Sequence, residues 1–343
     1  MSQAKLQNIL FKEDLNREDV IYLLEIDDQR SVEKIFQRAD QVRKDCCGEE
    51  VHLRGVIEIS NYCQQNCLYC ALREENFSLP RYRMEPDEII ETAKKIARSG
   101  IYTIVLQSGE DSTIDVDILS YIIYSIKNSV DVAITLSFGE RGFDEYRAWK
   151  IAGADRYLLK HETCNEKLYS IYRDKKFLID RIQHLKYLKR LGYQIGSGNI
   201  IGLPLQTTKD IADDILLLRE MAADIVDINQ FIPYPFTPYQ NQKPGNYLLT
   251  LKSLAVSRIV LKNTHIHNLN IIKKEENIKQ NESLSCGANV ILTDFTPSKY
   301  NRNNQLKPGP VFSKSLKTSV ESLGRNISFS KGDTLKSFSS ISS

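Results

Sequence analysis

Between residues 17 and 47, apolar positions recur at helical spacing. Val20, Leu23, Leu24, Ile26, Val32, Ile35 and Phe36 can share buried faces, and the segment reads as an N-terminal helical layer. Beyond it the period changes. Short apolar runs rich in β-formers occur at His52–Ser60, Tyr102–Gln107, Val132–Ser137, Arg156–Lys160, Ile195–Ile201, Ile225–Phe231, Thr264–Asn270 and Asn289–Leu292. Helical patterns fill the intervals, at Pro86–Arg98, Asp115–Lys127, Glu145–Ile151, Leu178–Leu191, Thr208–Met221 and Leu249–Leu261. Strands alternating with helices predict a parallel sheet, and eight is the number that closes a barrel. The predicted fold class is α/β: a (β/α)8 TIM-type barrel with an N-terminal helical layer and a C-terminal extension.

Local signals agree with this placement. Asp87 behind Pro86 suits an acidic first helical turn, and Gly100 and Gly192 stand where helices end on glycine. Ser315–Leu323 reads as a last amphipathic helix. From Ser328 onward Ser and Lys dominate, which predicts a poorly ordered tail. The chain divides into an N-terminal helical extension (1–50), the barrel (51–310) and a C-terminal helix with a flexible tail (311–343).

Composition narrows the function. The 343 residues carry 46 basic and 44 acidic side chains, a formal net charge of +2, so charge makes no case for nucleic acid or a membrane surface. Met1–Arg17 lacks the apolar stretch of a secretory signal, and no run approaches the roughly 18 apolar residues of a membrane span. These features predict a soluble protein of a reducing compartment such as the cytoplasm. The seven cysteines, three of them clustered, are unlike a disulfide framework and suggest metal ligands plus spare thiols. Cys46, Cys47, Cys164 and Cys286 are read as buried packing residues.

The clustered trio is Cys63-Gln-Gln-Asn-Cys67-Leu-Tyr-Cys70, directly after the first strand. The C-terminal end of a barrel strand is where barrel enzymes place their chemistry. Three thiolates can bind three irons of a cubane cluster that normally takes four cysteines, which leaves one iron open. The amino and carboxylate groups of S-adenosylmethionine (SAM) can chelate that iron. An electron from the 4Fe-4S cluster can then break the sulfonium C–S bond and release a 5′-deoxyadenosyl radical. A zinc knuckle would need a fourth ligand at short spacing, and the next cysteine is Cys164.

Candidate SAM contacts sit at other strand ends. Ser108-Gly109-Glu110 ends the second strand, where glycine lets backbone groups approach the ammonium of SAM; an ordinary turn is the plain alternative. Glu162, past the fourth strand, offers a carboxylate to the ribose hydroxyls or the ammonium. Arg181, on a later helix, offers a guanidinium to the SAM carboxylate, with a surface ion pair as the competing reading. Tyr69 can shield the cluster and touch the adenine. On the fifth strand, Gly196-Ser-Gly198 would clear space for the adenine and Ile201 would wall it, unless the glycines simply make a tight turn.

Eight motifs in order carry a resemblance: Cys63-x3-Cys67-Leu-Tyr-Cys70, Arg81-Tyr-Arg-Met84, Leu106-Gln-Ser-Gly-Glu-Asp111, Asp155-Arg-Tyr-Leu-Leu159, His161-Glu-Thr163, Ile201-Gly-Leu-Pro204, Phe231-Ile-Pro233 and Cys286-Gly-Ala-Asn-Val290. From about Leu10 to Gly324 the chain resembles the radical-SAM maturases of the HydE family, which are close to biotin synthase and methylornithine synthase. The resemblance implies a full barrel with the cluster at the top and an internal cavity below. It implies cluster ligands at Cys63, Cys67 and Cys70, and SAM contacts from Tyr69, Ser108 to Glu110, Glu162 and Arg181. It places Gln107, Thr135, Ser137, His161 and Tyr300 on the cavity wall. It also implies a role in assembling the diiron site of FeFe-hydrogenase. The substrate would be a small molecule or an iron-bound cysteine delivered by a partner maturase, and the reductant a ferredoxin or flavodoxin.

Three departures from that pattern bear on the substrate. Lys160 stands where relatives often carry Arg, keeping the charge but losing the planar fork. His267-Asn-Leu-Asn270 replaces a Pro-Ala-Thr-Thr-like run, so a hydroxyl-lined anion pocket is altered. Tyr234-Pro-Phe236 replaces a His-Pro-Asp-like stretch. Lys160 and Asn270 therefore join the candidate substrate positions. Two other readings of the same chain are a methylornithine-synthase-like mutase and a non-catalytic iron–sulfur carrier; an open iron suits storage poorly.

Overall fold

The computed structural model describes residues 3–269, 276–300 and 314–336. Three helices precede the barrel: α1 (Gln3–Leu10), α2 (Arg17–Glu25) and α3 (Gln29–Cys47). Asn16 and Asp19 form a capping box at the start of α2, Asp28 caps α3, and Gly48 ends it at φ 75°. Val20, Leu23, Leu24, Ile26, Val32 and Ile35 are buried, as their spacing requires. Helix α1 was not anticipated, because eight residues scarcely show a period. Of the four cysteines read as packing residues, Cys286 is buried and Cys47 and Cys164 are half-buried. Cys46 is exposed, which corrects that expectation.

The barrel is built from β1 (Glu50–Ser60), α4 (Pro86–Arg98), β2 (Thr103–Ser108), α5 (Val116–Ser129), β3 (Ala133–Ser137), α6 (Phe143–Ile151), β4 (Arg156–Leu158), α7 (Glu166–Tyr172), α8 (Leu178–Arg190), β5 (Gln194–Ser197), β6 (Ile200–Ile201), α9 (Thr208–Glu220), β7 (Ile225–Val226), β8 (Asn229–Gln230), α10 (Tyr247–Leu261), β9 (His265–Ile266), α11 (Glu276–Ser285) and β10 (Val290–Asp294). The parallel order is β10-β1-β2-β3-β4-β5-β7-β9. A parallel bridge between His267 and Val290 joins the two ends, so eight strands close on themselves.

Two predicted strands each split in two. Ile195–Ile201 becomes β5 and β6, and Ile225–Phe231 becomes β7 and β8. At the first break the chains nearly touch: a Cβ on Gly198 would lie 1.9 Å from the Asp227 carbonyl oxygen. Above the breaks, β6 and β8 pair in parallel as a separate ribbon on the rim.

The C-terminal segment departs from expectation. After α12 (Lys314–Ser322), β11 (Asn326–Ser328) pairs in parallel with the start of β1, with Val51 opposite Ile327. Residues 329–336 then cross the bottom of the barrel, where the fully buried Arg156 donates to the carbonyls of Lys331 at 2.8 Å and Gly332 at 2.9 Å and to Asp333 at 2.9 Å. The predicted flexible tail is thus an ordered strap as far as Lys336. A polar composition signalled weak burial of its side chains, but its backbone carbonyls satisfy a buried guanidinium.

Candidate active site

The chemistry-bearing loops lie at the C-terminal ends of the strands. The loop after β1 carries the cysteine trio and is fastened from three sides. Gln64 N–H donates to Glu110 O at 3.0 Å, Leu68 N–H to Tyr172 O at 3.0 Å, and Tyr239 N–H to Leu68 O at 3.3 Å. Arg81 ties its interior by donating to Leu72 O at 2.9 Å and Arg73 O at 2.6 Å. Asp111 accepts two bonds from Arg83, at 2.7 and 3.0 Å, and one from Ser60 Oγ at 2.6 Å. Asp111 is held ionised to about 2: burial opposes this, and Arg83, Ser60 and Thr113 outweigh it.

Cys63, Cys67 and Cys70 open onto one inner cavity of about 320 Å³. Burial raises all three thiols, with Cys70 pushed up to about 12. Cys63 Sγ accepts from Glu110 N–H at 3.3 Å, and Cys67 Sγ from Arg173 Nη1 at 3.0 Å. A Cβ on Gly109 would fall 2.4 Å from Tyr62 O and 2.5 Å from Cys63 Cβ, so only glycine lets this turn reach the cysteine loop. Among the described residues, no group of three His, Cys, Asp or Glu side chains converges on a single ion.

Glu110 is 5% exposed and meets two arginines, Arg173 at 2.7 Å and Arg181 at 3.3 Å. Burial alone would raise its carboxyl, but the two guanidiniums hold it below the ordinary range. Arg181 also contacts Glu140 at 2.9 Å and Tyr169 Oη at 3.0 Å. Glu162 sits at φ 65°, a conformation unusual outside glycine. Its Oε2 is buried without a hydrogen-bond partner, 3.6 Å from Lys160 Nζ. Lys160 lies 3.6 Å from Asp227 as well; burial opposes its charge, and the two carboxylates keep it raised.

The floor of the cavity joins three strands. Arg54 on β1 meets His267 Nε2 at 3.1 Å, and His267 Nδ1 meets Asp227 Oδ1 at 3.1 Å. Burial lowers the pKa of His267 below 6.5 despite Asp227, so the imidazole is neutral at pH 7. Its Nδ1–H then donates to Asp227 and its Nε2 accepts from Arg54. Arg54 Nε and Nη2 and Thr135 Oγ1 are buried without partners at this end.

Most of the sequence-read positions converge. Tyr69, Gln107, Ser108, Gly109, Glu110, Thr135, Ser137, Lys160, Glu162 and Arg181 line the inner cavity with the three cysteines. Tyr69, Cys70, Gln107, Lys160 and Glu162 continue into an outer chamber of about 690 Å³ that opens at the rim. Three positions do not converge. His161 points away and is fully buried, its Nδ1 on Ser197 Oγ at 3.0 Å and its Nε2 3.6 Å from Asp214. Tyr300 stacks on Tyr82 with ring centroids 4.5 Å apart and donates to Glu88 at 2.6 Å. Ile201 packs into the main core, and its neighbour Ile200 faces the outer chamber instead. Gly196 and Gly198 sit where strands pack closely: a Cβ on Gly196 would lie 2.7 Å from Leu158. Asn270 lies outside the described residues. The sequence reading missed Arg54, Glu140, Arg173 and Asp227. A charge within the apolar run of β1 could have pointed to Arg54; Arg173, on a helix end, carries no such signal.

Comparison with known proteins agrees with this arrangement. Residues 57–218 match the radical SAM superfamily. The FeFe-hydrogenase maturase subunit HydE of Thermotoga maritima is 43% identical over 311 residues, covering 91% of this chain and 89% of the relative. The 3-methylornithine synthase of Methanosarcina acetivorans is 29% identical over 251 residues, covering 72% of this chain and 70% of the relative. The crystal structure of methylornithine synthase superposes with a TM-score of 0.84 over 94% of this chain and 97% of that one, at 22% identity, a likeness of fold.

Proposed function

The chain belongs to the HydE family of radical-SAM FeFe-hydrogenase maturases, and from that footing we propose how its own residues serve the activity. Its cofactors are a 4Fe-4S cluster and SAM. Bound together, they supply one-electron cleavage of the sulfonium C–S bond to a 5′-deoxyadenosyl radical. In this reading Cys63, Cys67 and Cys70 hold the cluster. The donor set fits: three soft thiols from one fastened loop face one cavity, with N–H donors already on two of the sulfurs. Their raised pKa values mean that binding releases protons.

Arg181 binds the SAM carboxylate, with Glu110 and Glu140 fixing its guanidinium plane. Glu162 accepts from the ribose hydroxyls or the ammonium, and its Oε2, which has no hydrogen-bond partner, supports this role. The Ser108 to Glu110 turn approaches the ammonium, and Tyr69 covers the cluster and the adenine. Gln107, Thr135, Ser137 and Lys160 face the substrate. The cationic floor at Arg54 suits an anionic or strongly polar substrate group, consistent with a small-molecule or iron-complex substrate. Partner maturases would deliver that substrate, and a ferredoxin or flavodoxin would supply electrons, in a reducing cytoplasm. Among the described residues no helix is long and apolar enough to cross a membrane.

The observation that carries this reading is the convergence of three thiols from one loop, Glu162 from another and Arg181 from a helix on a single cavity. The mutase and carrier readings are disfavoured by the 43% identity across nine-tenths of the chain. The test is anaerobic reconstitution with iron and sulfide, then reduction with dithionite in the presence of SAM. The wild type should bind about four irons and release 5′-deoxyadenosine. Cys67→Ala should lose both the visible cluster absorbance and the cleavage. Cleavage that persists in that variant would falsify the ligand assignment.

A further inference from the structure

We propose that Arg173 is a positioning residue that ties the cluster ligand Cys67 to the Glu110 carboxylate and raises the reduction potential of the cluster. The inference rests on the cluster assignment above and goes beyond it, since nothing in the ligand set requires an arginine at this place.

Arg173 is brought to the site by a local device. Its backbone N–H bonds Tyr169 O at 2.9 Å and closes the C-terminus of α7. One residue earlier, Tyr172 O receives Leu68 N–H at 3.0 Å, clipping the end of α7 to the chain between Cys67 and Cys70. Asp174 and Lys175 then adopt φ of 49° and 67°, and the chain turns back into α8, which carries Arg181. One tight hairpin of helices therefore supplies both guanidiniums that meet Glu110.

The side chain of Arg173 spans two groups. Nη1 lies 3.0 Å from Cys67 Sγ and Nη2 lies 2.7 Å from Glu110 Oε1, with the whole residue 8% exposed. Its Nε is buried without a partner, so the guanidinium is aimed at these two contacts rather than spread over many.

Reduction adds one negative charge to a cluster already carrying thiolates. A cation and an N–H donor on a ligating sulfur stabilise the reduced form more than the oxidised one, which raises the potential. The planar fork matters because both contacts are made at once. Lysine keeps the charge but presents a single point, and glutamine keeps a donor without the charge.

The test uses full-length wild type, Arg173→Gln and Arg173→Lys, each reconstituted anaerobically. Iron per chain, far-UV circular dichroism and an EPR-monitored redox titration with dithionite are measured on all three. All three should hold wild-type iron, since the three cysteines are intact. At a fixed solution potential, Arg173→Gln should show a reduced-to-oxidised ratio about tenfold lower, which for a one-electron couple is about 59 mV. Arg173→Lys should fall between. An unchanged potential in Arg173→Gln overturns the proposal. If that variant loses its iron, a wild-type potential in Arg173→Lys overturns it equally. A wild type that takes up no cluster defeats the ligand assignment itself, a result distinct from either.

Discussion

Lys160, His161 and Glu162 are consecutive, yet only the first and third face the cavity. On β2 and β3 the alternation of an extended chain turns Val105 and Gln107, and Thr135 and Ser137, to the same cavity, whereas Leu158, Leu159 and Lys160 all line it where β4 ends. At Glu162 the extended run ends in a left-handed residue, whose backbone is held on both sides: its N–H donates to Gly198 O at 2.9 Å and its O accepts from Ile200 N–H at 3.2 Å. A left-handed residue that turns its carboxylate to the cavity, with Lys160 as an ion-pair partner at 3.6 Å and no hydrogen bond on Oε2, is placed to accept from a ligand. Replacing Glu162 by Gln should weaken SAM binding by about 10- to 100-fold, the loss of one charge-assisted hydrogen bond of about 1.5–3 kcal/mol. Equilibrium dialysis with labelled SAM on the reconstituted protein reads this directly. Wild-type affinity in the variant would remove Glu162 from the cofactor site.

At the scale of elements, the strap formed by β11 and residues 329–336 has the clearest energetic consequence. Arg156 is fully buried at the bottom of β4 and makes its bonds to the strap, to Thr103 Oγ1 at 3.1 Å and to Gln194 Oε1 at 2.7 Å. Asp333, its ionic partner, is largely exposed, so the stabilisation resides in the bonds to Lys331 O and Gly332 O more than in the ion pair. Arg156→Met should leave Gly332 O unpaired and Lys331 O with only the Thr103 hydroxyl at 2.7 Å, and cost about 1–3 kcal/mol. Thermal unfolding should show a lower midpoint, and proteolysis should cut the strap sooner than in the wild type. A midpoint equal to wild type would mean that β11 and the bonds of the strap to Thr103, His265 and Asp224 hold it without Arg156.

Over the whole molecule, the barrel has two chemically different ends. The top gathers thiols, carboxylates and arginines round the cavity. The bottom is closed by the strap over His52 and His265, whose rings meet edge to face with centroids 4.8 Å apart. Burial, with Arg54 adding to it, lowers His52 from the ordinary 6.5 to about 4, while Glu50 and Asp333 oppose the shift. Burial also lowers His265, with Arg54 and His52 adding to it. Both histidines are therefore neutral in the folded state and take up protons on unfolding. The unfolded chain binds more protons between about pH 6.5 and 4, so stability rises with pH across that window and is lost as the solution is acidified through it. At 1.36 kcal/mol per unit, His52 alone contributes about 3 kcal/mol. Melting temperatures of wild type and His52→Gln, measured across the window, should show a shallower acid slope in the variant. Equal slopes would show that the proton uptake lies elsewhere.

The order of elements, the closed barrel and the cysteine loop were all legible in the sequence, because each depends on residues close together in the chain. Periods of 3.6 and 2 mark helices and strands locally, and three cysteines within eight residues share one loop whatever surrounds it. The inward placement of His161, which the resemblance implied, did not follow from local geometry: the residue lies past the end of β4 and turns to Ser197 and Asp214. Contacts across the fold could not be read this way. Arg173 reaches Cys67 over 106 positions and Arg156 reaches Lys331 over 175, and nothing beside either residue in the chain names its partner. Their roles come from desolvation at a place that exists only after the barrel has closed. Burial turns a solvated cation into one that must find an acceptor, and only the packed chain determines which acceptor is within reach.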